Sequence, residues 1–183
     1  MRKIFLFMMV SIDGFYEGPA HDLSWHNVDE EFNEFAIAQL KNVGTILFGK
    51  NTYEMMASYW PGAEAQKDDP IVAGLMNSIP KIVFSTTLEH TAWQNTLLVK
   101  EASPDGIKKL KQQPGNDIAI FGSNNLCVSL MGMGLVDEFR IMVNPVVLGQ
   151  GSALFGGIGK MFNFTLVASK EFNSGNVLLQ YRQ

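Results

Sequence analysis

The chain has 183 residues, 46% of them hydrophobic and 17% charged, with a net charge of −4. That length and composition predict one globular domain over residues 1–183 with a sizeable core, and argue against a disordered chain. No run of about 18 apolar residues exists to cross a membrane, no Lys/Arg cluster marks a nucleic-acid surface, and one cysteine can form neither an internal disulfide nor a metal-ligand pair; the expected compartment is the cytoplasm.

Met1-Arg2-Lys3 ahead of an apolar run has the outline of a signal peptide, but Ser11-Ile12-Asp13-Gly14 interrupts it and no small-residue cleavage site follows. Residues 3–12 are therefore read as the first strand. They are dense in Ile, Phe, Val and Met without alternation, which predicts a central position covered on both faces. Residues 13–28, rich in Gly, Pro, His and Asn, read as a loop. Over 29–42 the residues Phe32, Phe35, Ala36 and Leu40 recur at helical spacing, with acids at the start and Lys41 near the end to suit the helix dipole. A second buried strand follows at 45–48, a short helix at 51–58, a loop at 59–70 and a short helix at 71–77. Strands are predicted at 81–85 and 96–99. Ser103 then caps a helix with Pro104 at its first position, ending near Gln113.

Residues 117–121 form a short apolar strand, and Gly122 allows a sharp turn after it. Ser123, Asn124 or Asn125 can cap the helix over 124–131. A helix start at the carboxyl end of a parallel strand offers unpaired N–H groups and partial positive charge, a natural seat for phosphate; an ordinary strand-to-helix turn has the same look. A long strand at 138–147 is expected to bend where Pro145 removes a donor. Residues 164–172 and 177–182 pair through the turn Asn173-Ser174-Gly175-Asn176. Strands and helices alternate first, and strands then meander. The order predicts an α/β fold, a three-layer, mostly parallel mixed sheet with helices on both faces and an antiparallel C-terminal edge.

Val136-Asp137-Glu138-Phe139-Arg140 leads into Val143-Asn144-Pro145-Val146-Val147-Leu148-Gly149-Gln150-Gly151. This pair of segments resembles the "GLVDE" and "P-x-x-L-G-x-G" of the C-terminal reductase domain family of bacterial bifunctional riboflavin-biosynthesis deaminase-reductases. That family is part of the dihydrofolate reductase-like superfamily, whose members use NADPH. Ser11-Ile12-Asp13-Gly14 matches its "S-x-D-G" after the first strand. Phe48-Gly49-Lys50-Asn51-Thr52-Tyr53-Glu54 resembles the "G-R-x-T-x-E" of dihydrofolate reductases, and Ile82-Val83-Phe84-Ser85-Thr86 their strand ending in two hydroxyl residues. The four matches follow the family's order along the whole chain. They imply a dihydrofolate reductase-like fold and an NADPH-dependent oxidoreductase acting on a small flat, pterin- or pyrimidine-like acceptor. Two other readings stand beside it. One is the 5-amino-6-(5-phosphoribosylamino)uracil reductase of riboflavin biosynthesis, which calls for basic residues on the substrate side, although residues 13–35 contain no Lys or Arg. The other is a nucleotide-binding module without turnover.

The resemblance also implies roles for individual residues. Lys50 stands where a basic residue contacts the adenosine 2′-phosphate, with Gly49, Asn51 and Thr52 around it and Ser85 and Thr86 at the next strand end. On the residues alone, Lys50 is a solvated lysine and the hydroxyls cap a turn. Phe121, Gly122, Ser123, Asn124 and Asn125 stand at the diphosphate turn, where many relatives carry two or three glycines and then a basic residue. Gly14 and the backbone beside it suit the nicotinamide, and Met9 either packs against that ring or lies in the core. Asp13 is either a turn-former or a catalytic carboxylate. The acid that binds the pterin in dihydrofolate reductases maps to Glu31 counted back from Phe35 and to Glu30 counted on from Trp25; acids in a first helical turn are ordinary. His21 and His26 flank the first loop as candidate acids near neutral pH, while Trp25 and Trp60 are candidates to cover the cleft. Cys127 reads as core. The apolar strand at 139–148 with the Gly-rich 149–159 segment, Leu154 and Phe155 would invite aggregation at an open edge, so either the chain's own final hairpin, in a monomer, or a second copy must cover it; the resemblance to dimeric reductases favours the second copy, and a homodimer through this half is expected.

Overall fold

The non-alternating apolar run at the N-terminus becomes the spine of the sheet. In the computed structural model, which describes all 183 residues, it is β1 (Ile4–Val10), with six of its seven residues buried. It is followed by β2 (Phe15–Glu17), α1 (Glu30–Leu40), β3 (Val43–Gly49), α2 (Lys50–Tyr59), α3 (Ala63–Asp68), α4 (Pro70–Ser78), β4 (Lys81–Phe84) and β5 (Thr96–Val99). Then come α5 (Pro104–Gln112), β6 (Asp117–Phe121), α6 (Asn124–Gly132), β7 (Glu138–Val143), β8 (Ser152–Ala153), β9 (Thr165–Glu171) and β10 (Val177–Arg182). Eight strands form one sheet in the order β5-β4-β3-β6-β1-β7-β10-β9, and β2 pairs with β8. The pairs from β5 to β7 are parallel, and β7–β10 and β10–β9 are antiparallel. This is the mostly parallel mixed sheet with an antiparallel edge that the element order predicts.

A parallel crossover is right-handed, so connections stepping one way along the sheet cover one face and those stepping back cover the other. The steps from β1 to β3 to β4 carry α1, α2 and α4 onto one face, around Phe5, Ile46, Phe48, Val72 and Met76. The steps from β5 to β6 to β7 carry α5 and α6 onto the other, around Leu6, Ile120, Leu126 and Leu130.

Buried charges sit where backbone groups need partners. Lys81 is 1% exposed. Its Nζ donates to the carbonyls of Met76, Ile79 and Asn77 at 2.7, 2.8 and 3.3 Å, closing the end of α4, and lies 4.3 Å from the Trp93 ring centre. Burial lowers its pKa to about 8. Asp137 accepts from the Ile4 amide at 2.7 Å and pairs with Lys111 at 2.7 Å. Glu138 pairs with Arg140 at 2.7 Å, and Arg140 lies over the Phe5 ring. Both acids of the family-like motif thus hold the amino ends of β1 and β7.

Several local expectations are corrected. The predicted 13–28 loop contains β2, and the 59–70 loop contains α3; β8, with two residues, is too short to leave a pattern. β7 stops at Val143 rather than at 147, because Asn144 turns its side chain back onto the Val10 and Met142 carbonyls and Pro145 has no N–H to continue the ladder. β7 is not at an edge, since it lies between β1 and β10. Leu154 is 3% exposed and belongs to the chain's own core. On this side of the sheet the outer strand is β9, exposed along its whole length.

Replacing Lys81 by Met would leave the carbonyls at the end of α4 without a donor. Each orphaned buried acceptor costs about 1–3 kcal/mol, so Lys81→Met is expected to lower stability by about 2–4 kcal/mol in urea unfolding. A loss under about 1 kcal/mol would show that water replaces the lysine.

Candidate functional site

In an open parallel sheet, a crevice forms at the carboxyl ends of neighbouring strands whose outgoing helices leave to opposite faces. β6 has such a neighbour on each side. α6 leaves it to one face, while α2 leaves β3 and the chain after β1 leads to α1 on the other.

The helix starts at this crevice differ from those of α1, α4 and α5. α1, α4 and α5 are capped by the side chains of Asp29, Asp69 and Ser103, which accept from Phe32, Val72 and Gly106 amides. α2 and α6 have no side-chain cap, a state they share with the six-residue α3, which starts after Gly62. At α2 the N-cap residue is Gly49 and has no side chain to offer. At α6 the residue is Ser123, but its buried hydroxyl accepts from the Gly49 amide at 3.0 Å instead of capping its own helix. The Thr52 hydroxyl returns the connection by donating to the Gly122 carbonyl at 3.3 Å. Gly122 holds φ +66°, and a Cβ there would lie 3.3 Å from the Thr52 methyl. The two helix starts are therefore laced into one unit whose first-turn N–H groups lack side-chain acceptors. Phe121 closes the floor, edge-on to Phe5 and Phe7. Asn125 is exposed, and the Asn124 Oδ1 is buried without a partner. That orphaned acceptor and the open amides fit a polar group seated at this turn.

Lys50, in the first turn of α2, is 40% exposed on its side chain and has only Glu54, at 4.0 Å, as an ionic neighbour. Asn51 beside it is exposed. At the end of β4 the Ser85 hydroxyl accepts from the Thr87 and Leu88 amides, the turn-capping role, and Thr86 is exposed. The sequence-predicted cofactor residues thus lie on four adjacent strand ends, β4, β3, β6 and β1. Three strand spacings make a span of about 14 Å.

At the β1 end, Gly14 has φ +85° with open space beside it. Met9 is 8% exposed and packs with Met142, Phe172 and Leu178, so the structure places it in the core beside Phe7, Phe32 and Phe35. Asp13 accepts from the Gly149 and Leu148 amides at 2.7 and 3.1 Å. The Ser11 hydroxyl, then those amides, hold its pKa at about 2 against desolvation. It is an ionised anchor for the loop after β7. Glu31 accepts from the Asn173 amide at 2.8 Å and pairs with Lys170 at 3.1 Å. The Asn173 amide, first among the causes, keeps its pKa below the usual carboxylate range. The two carboxylates hold different C-terminal segments, and Glu30 is exposed.

The two histidines of the first loop are placed differently. His21 is exposed and contacts Glu17 at 2.9 Å. Burial lowers the His26 pKa to about 4, opposed by Asp22, and its Nε2 is buried without a partner. Trp25 packs edge-on to His26, and Trp60 packs against Tyr59. Burial raises the Cys127 thiol to about 12, which leaves it unreactive.

Sequence reasoning missed the residues that hold the first loop down. The fully buried Asn144 accepts from the Asn27 amide at 2.9 Å, and Asn176 donates to the Asn27 carbonyl at 2.8 Å. Glu17 accepts from Ser152 at 2.6 Å. A Cβ at Gly151 would overlap the Glu17 carbonyl oxygen, so only glycine lets β8 approach β2 this closely. These partners are more than 100 residues apart, and no local pattern announces them.

The sequence matches the family model described as RibD C-terminal domain over residues 2–178. It is 32% identical to the uncharacterized protein YyaP of Bacillus subtilis (strain 168), covering 98% of this chain and 94% of that protein. Among solved structures it is similar to a Shewanella sp. PV-4 protein provisionally assigned to riboflavin biosynthesis, with TM-score 0.77, 24% identity and 98% of each chain covered. The Thermotoga maritima diaminohydroxyphosphoribosylaminopyrimidine deaminase/5-amino-6-(5-phosphoribosylamino)uracil reductase aligns with TM-score 0.69 and 15% identity over 99% of this chain and 56% of that one. Dihydrofolate reductase from Enterococcus faecalis, complexed with NADP(H), aligns with TM-score 0.64 and 14% identity over 98% and 95%. At these identities the structures establish the fold, which is dihydrofolate reductase-like.

The neutral His26 makes a test of how the first loop is held. Its folded pKa of about 4 lies below the unfolded 6.5, so the unfolded chain binds more protons between those values. The stability it contributes is complete above pH 6.5 and is lost as pH falls towards 4, by about 3 kcal/mol in all. Urea unfolding from pH 7 to 4.5 should show a steeper loss for the wild type than for His26→Gln. Parallel losses would mean that His26 is not held neutral by the fold.

Proposed function

Because the chain belongs to the RibD C-terminal domain family, we propose that it is an NADPH-dependent reductase that passes a hydride to a small flat acceptor. The observation carrying this reading is the pair of uncapped helix starts, laced through Ser123 and Thr52, at the carboxyl ends of adjacent strands. Open helix N-termini favour anionic groups through their free N–H groups and dipole. The α6 start, with Asn124 and Asn125, would take the diphosphate. Lys50 and Thr86 would take the 2′-phosphate, which separates NADPH from NADH. Gly14 and the end of β1 would face the nicotinamide, which supplies the hydride when bound.

The chain's own part is then positioning and shielding. Asp13 stays ionised and fixes the 148–149 backbone against the first loop, and Glu31 fixes the turn between β9 and β10 against α1. Neither donates a proton near neutral pH, so solvent supplies the proton that accompanies the hydride. Phe7, Phe32 and Phe35 give the mouth an apolar wall beside β1.

Lys50→Ala is expected to weaken NADPH binding about tenfold, the loss of one charge-assisted contact, and to leave NADH nearly unchanged. Equal losses for both cofactors in a fluorescence titration would remove the 2′-phosphate role from Lys50.

We also propose that two copies associate through the C-terminal half. The exposed β9 edge lies in the same stretch of chain as Phe155, Met161, Leu166 and Val167, all of them exposed. An open strand edge with apolar neighbours favours pairing. Light scattering at low micromolar concentration should give twice the 20.3 kDa chain mass, and Leu166→Glu should return it to the single mass. A wild-type mass near that of one chain overturns the dimer.

A further inference from the structure

The order of strand ends fixes which part of the molecule meets the acceptor. With the 2′-phosphate groups at β3 and β4 and the diphosphate turn at β6, the reactive ring falls at the end of β1. The elements next to that end are the first loop and α1. We propose that the acceptor is an uncharged or cationic flat ring that carries no phosphate; this rests on the NADPH reading above and narrows it.

The charge of these elements is one-sided. Residues 4–40 contain seven carboxylates, among them Asp13, Glu17, Asp22 and Glu31, and no lysine or arginine. The histidines do not offset them. His26 is held neutral by burial, and His21 lies on Glu17. Lys41 follows the far end of α1, away from the mouth. Lys170 reaches α1 but is paired with Glu31 at 3.1 Å. Arg140, on the strand beside β1, is engaged at two of its three nitrogens. Its Nε donates to Glu138 at 2.7 Å, its Nη1 donates to Gln39 at 3.0 Å, and its Cζ lies 3.8 Å from the Phe5 ring centre. The first loop and α1 thus hold no lysine or arginine of their own to receive a phosphate, and Lys170 and Arg140, which reach α1 and β1 from elsewhere, are already paired with carboxylates.

Anions bind where fixed cations or free N–H groups meet them, and a phosphate placed among carboxylates is repelled instead. α1 offers no compensation at its start, because Asp29 already caps it and Glu30 and Glu31 fill its first turn. The same field draws a cation. The wall beside it suits a flat ring: Phe7 lies 6.3 Å from Phe32 and 5.7 Å from Phe35, ring centre to ring centre, and all three are half-buried. Aromatic faces bind flat rings by stacking and attract positive charge. Phosphate recognition is thus confined to the cofactor side, at Lys50 and the two helix starts.

The test uses the wild-type chain saturated with NADPH and a matched set of rings: 5,6-diaminouracil, 2,4,6-triaminopyrimidine, a dihydropterin, and 5-amino-6-(5-phosphoribosylamino)uracil. Calorimetry measures binding, and NADPH oxidation measures turnover, each at low and high salt. At least one uncharged or cationic ring should bind about tenfold or more tightly than the phosphoribosyl compound. Affinity for the phosphoribosyl compound should rise with salt, as repulsion is screened, and that for a cationic ring should fall. Tighter binding of the phosphoribosyl compound, weakening with salt, overturns the inference, as does a failure of every uncharged and cationic ring to bind. A separate NADPH titration distinguishes the two levels. If NADPH binds and the panel fails, only the acceptor class falls; if NADPH does not bind, the reductase reading falls and the acceptor class with it.

Discussion

The right-handedness of parallel crossovers is the constraint on which the rest depends. β6 is threaded between β3 and β1, and the chain leaves β6 towards the opposite face from both neighbours. Two helices on one face and one on the other cannot close over the strand ends between them. A crevice therefore exists before any side chain is chosen. The side chains then determine that its two central helix starts stay open. Ser123 stands at the N-cap of α6 yet gives its hydroxyl to Gly49, and Gly49 has no side chain with which to cap α2. The same lacing that joins the two turns leaves both helices without a side-chain acceptor for their first-turn amides.

Buried charge in this fold is mostly structural. Asp137 and Glu138 belong to the segment that most resembles the reductase family, yet they act at the amino ends of the strands. Asp137 satisfies the first amide of β1 and pairs with Lys111, and Glu138 pairs with Arg140. A buried acid left alone would be costly, and a missing partner would cost more than the pair contributes. Lys81 follows the same logic at the end of α4, where its ammonium meets the carbonyl ends of the helix dipole.

The mouth of the crevice is assembled from the two ends of the chain. The first loop has little regular structure of its own. It is held by side chains and amides from the C-terminal half: Asp13 to Leu148 and Gly149, Glu17 to Ser152, Asn27 to Asn144 and Asn176. Glu31 does the same for α1. Carboxylates that a dihydrofolate reductase-like pattern offers as catalytic candidates therefore serve as anchors here. The negative charge they carry also sets the end of β1 apart from the ends of β3 and β6, where Lys50 and the two uncapped helix starts lie.

Local chemistry made much of this legible in the sequence. The non-alternating run of β1 announced a central strand, Ser103-Pro104 a helix start, Asn173 to Asn176 a hairpin turn, and Gly122 the turn between β6 and α6. Each of these depends on neighbours a few residues away, through backbone angles and short-range periodicity. The family resemblance rested on segments of the same kind. What the sequence by itself determined was the order of elements, the layered sheet and the glycine, lysine and hydroxyl residues at four strand ends. Only the tertiary structure decided that Ser123 would turn from its own helix to Gly49, that Asp13 and Glu31 would be engaged by loops more than 100 residues away, that β7 would be interior and β9 the open edge, and that Leu154 would be core. Those outcomes depend on which distant groups come within hydrogen-bonding or packing distance, and a side chain's choice among several partners is set by the packed arrangement rather than by its neighbours in the chain.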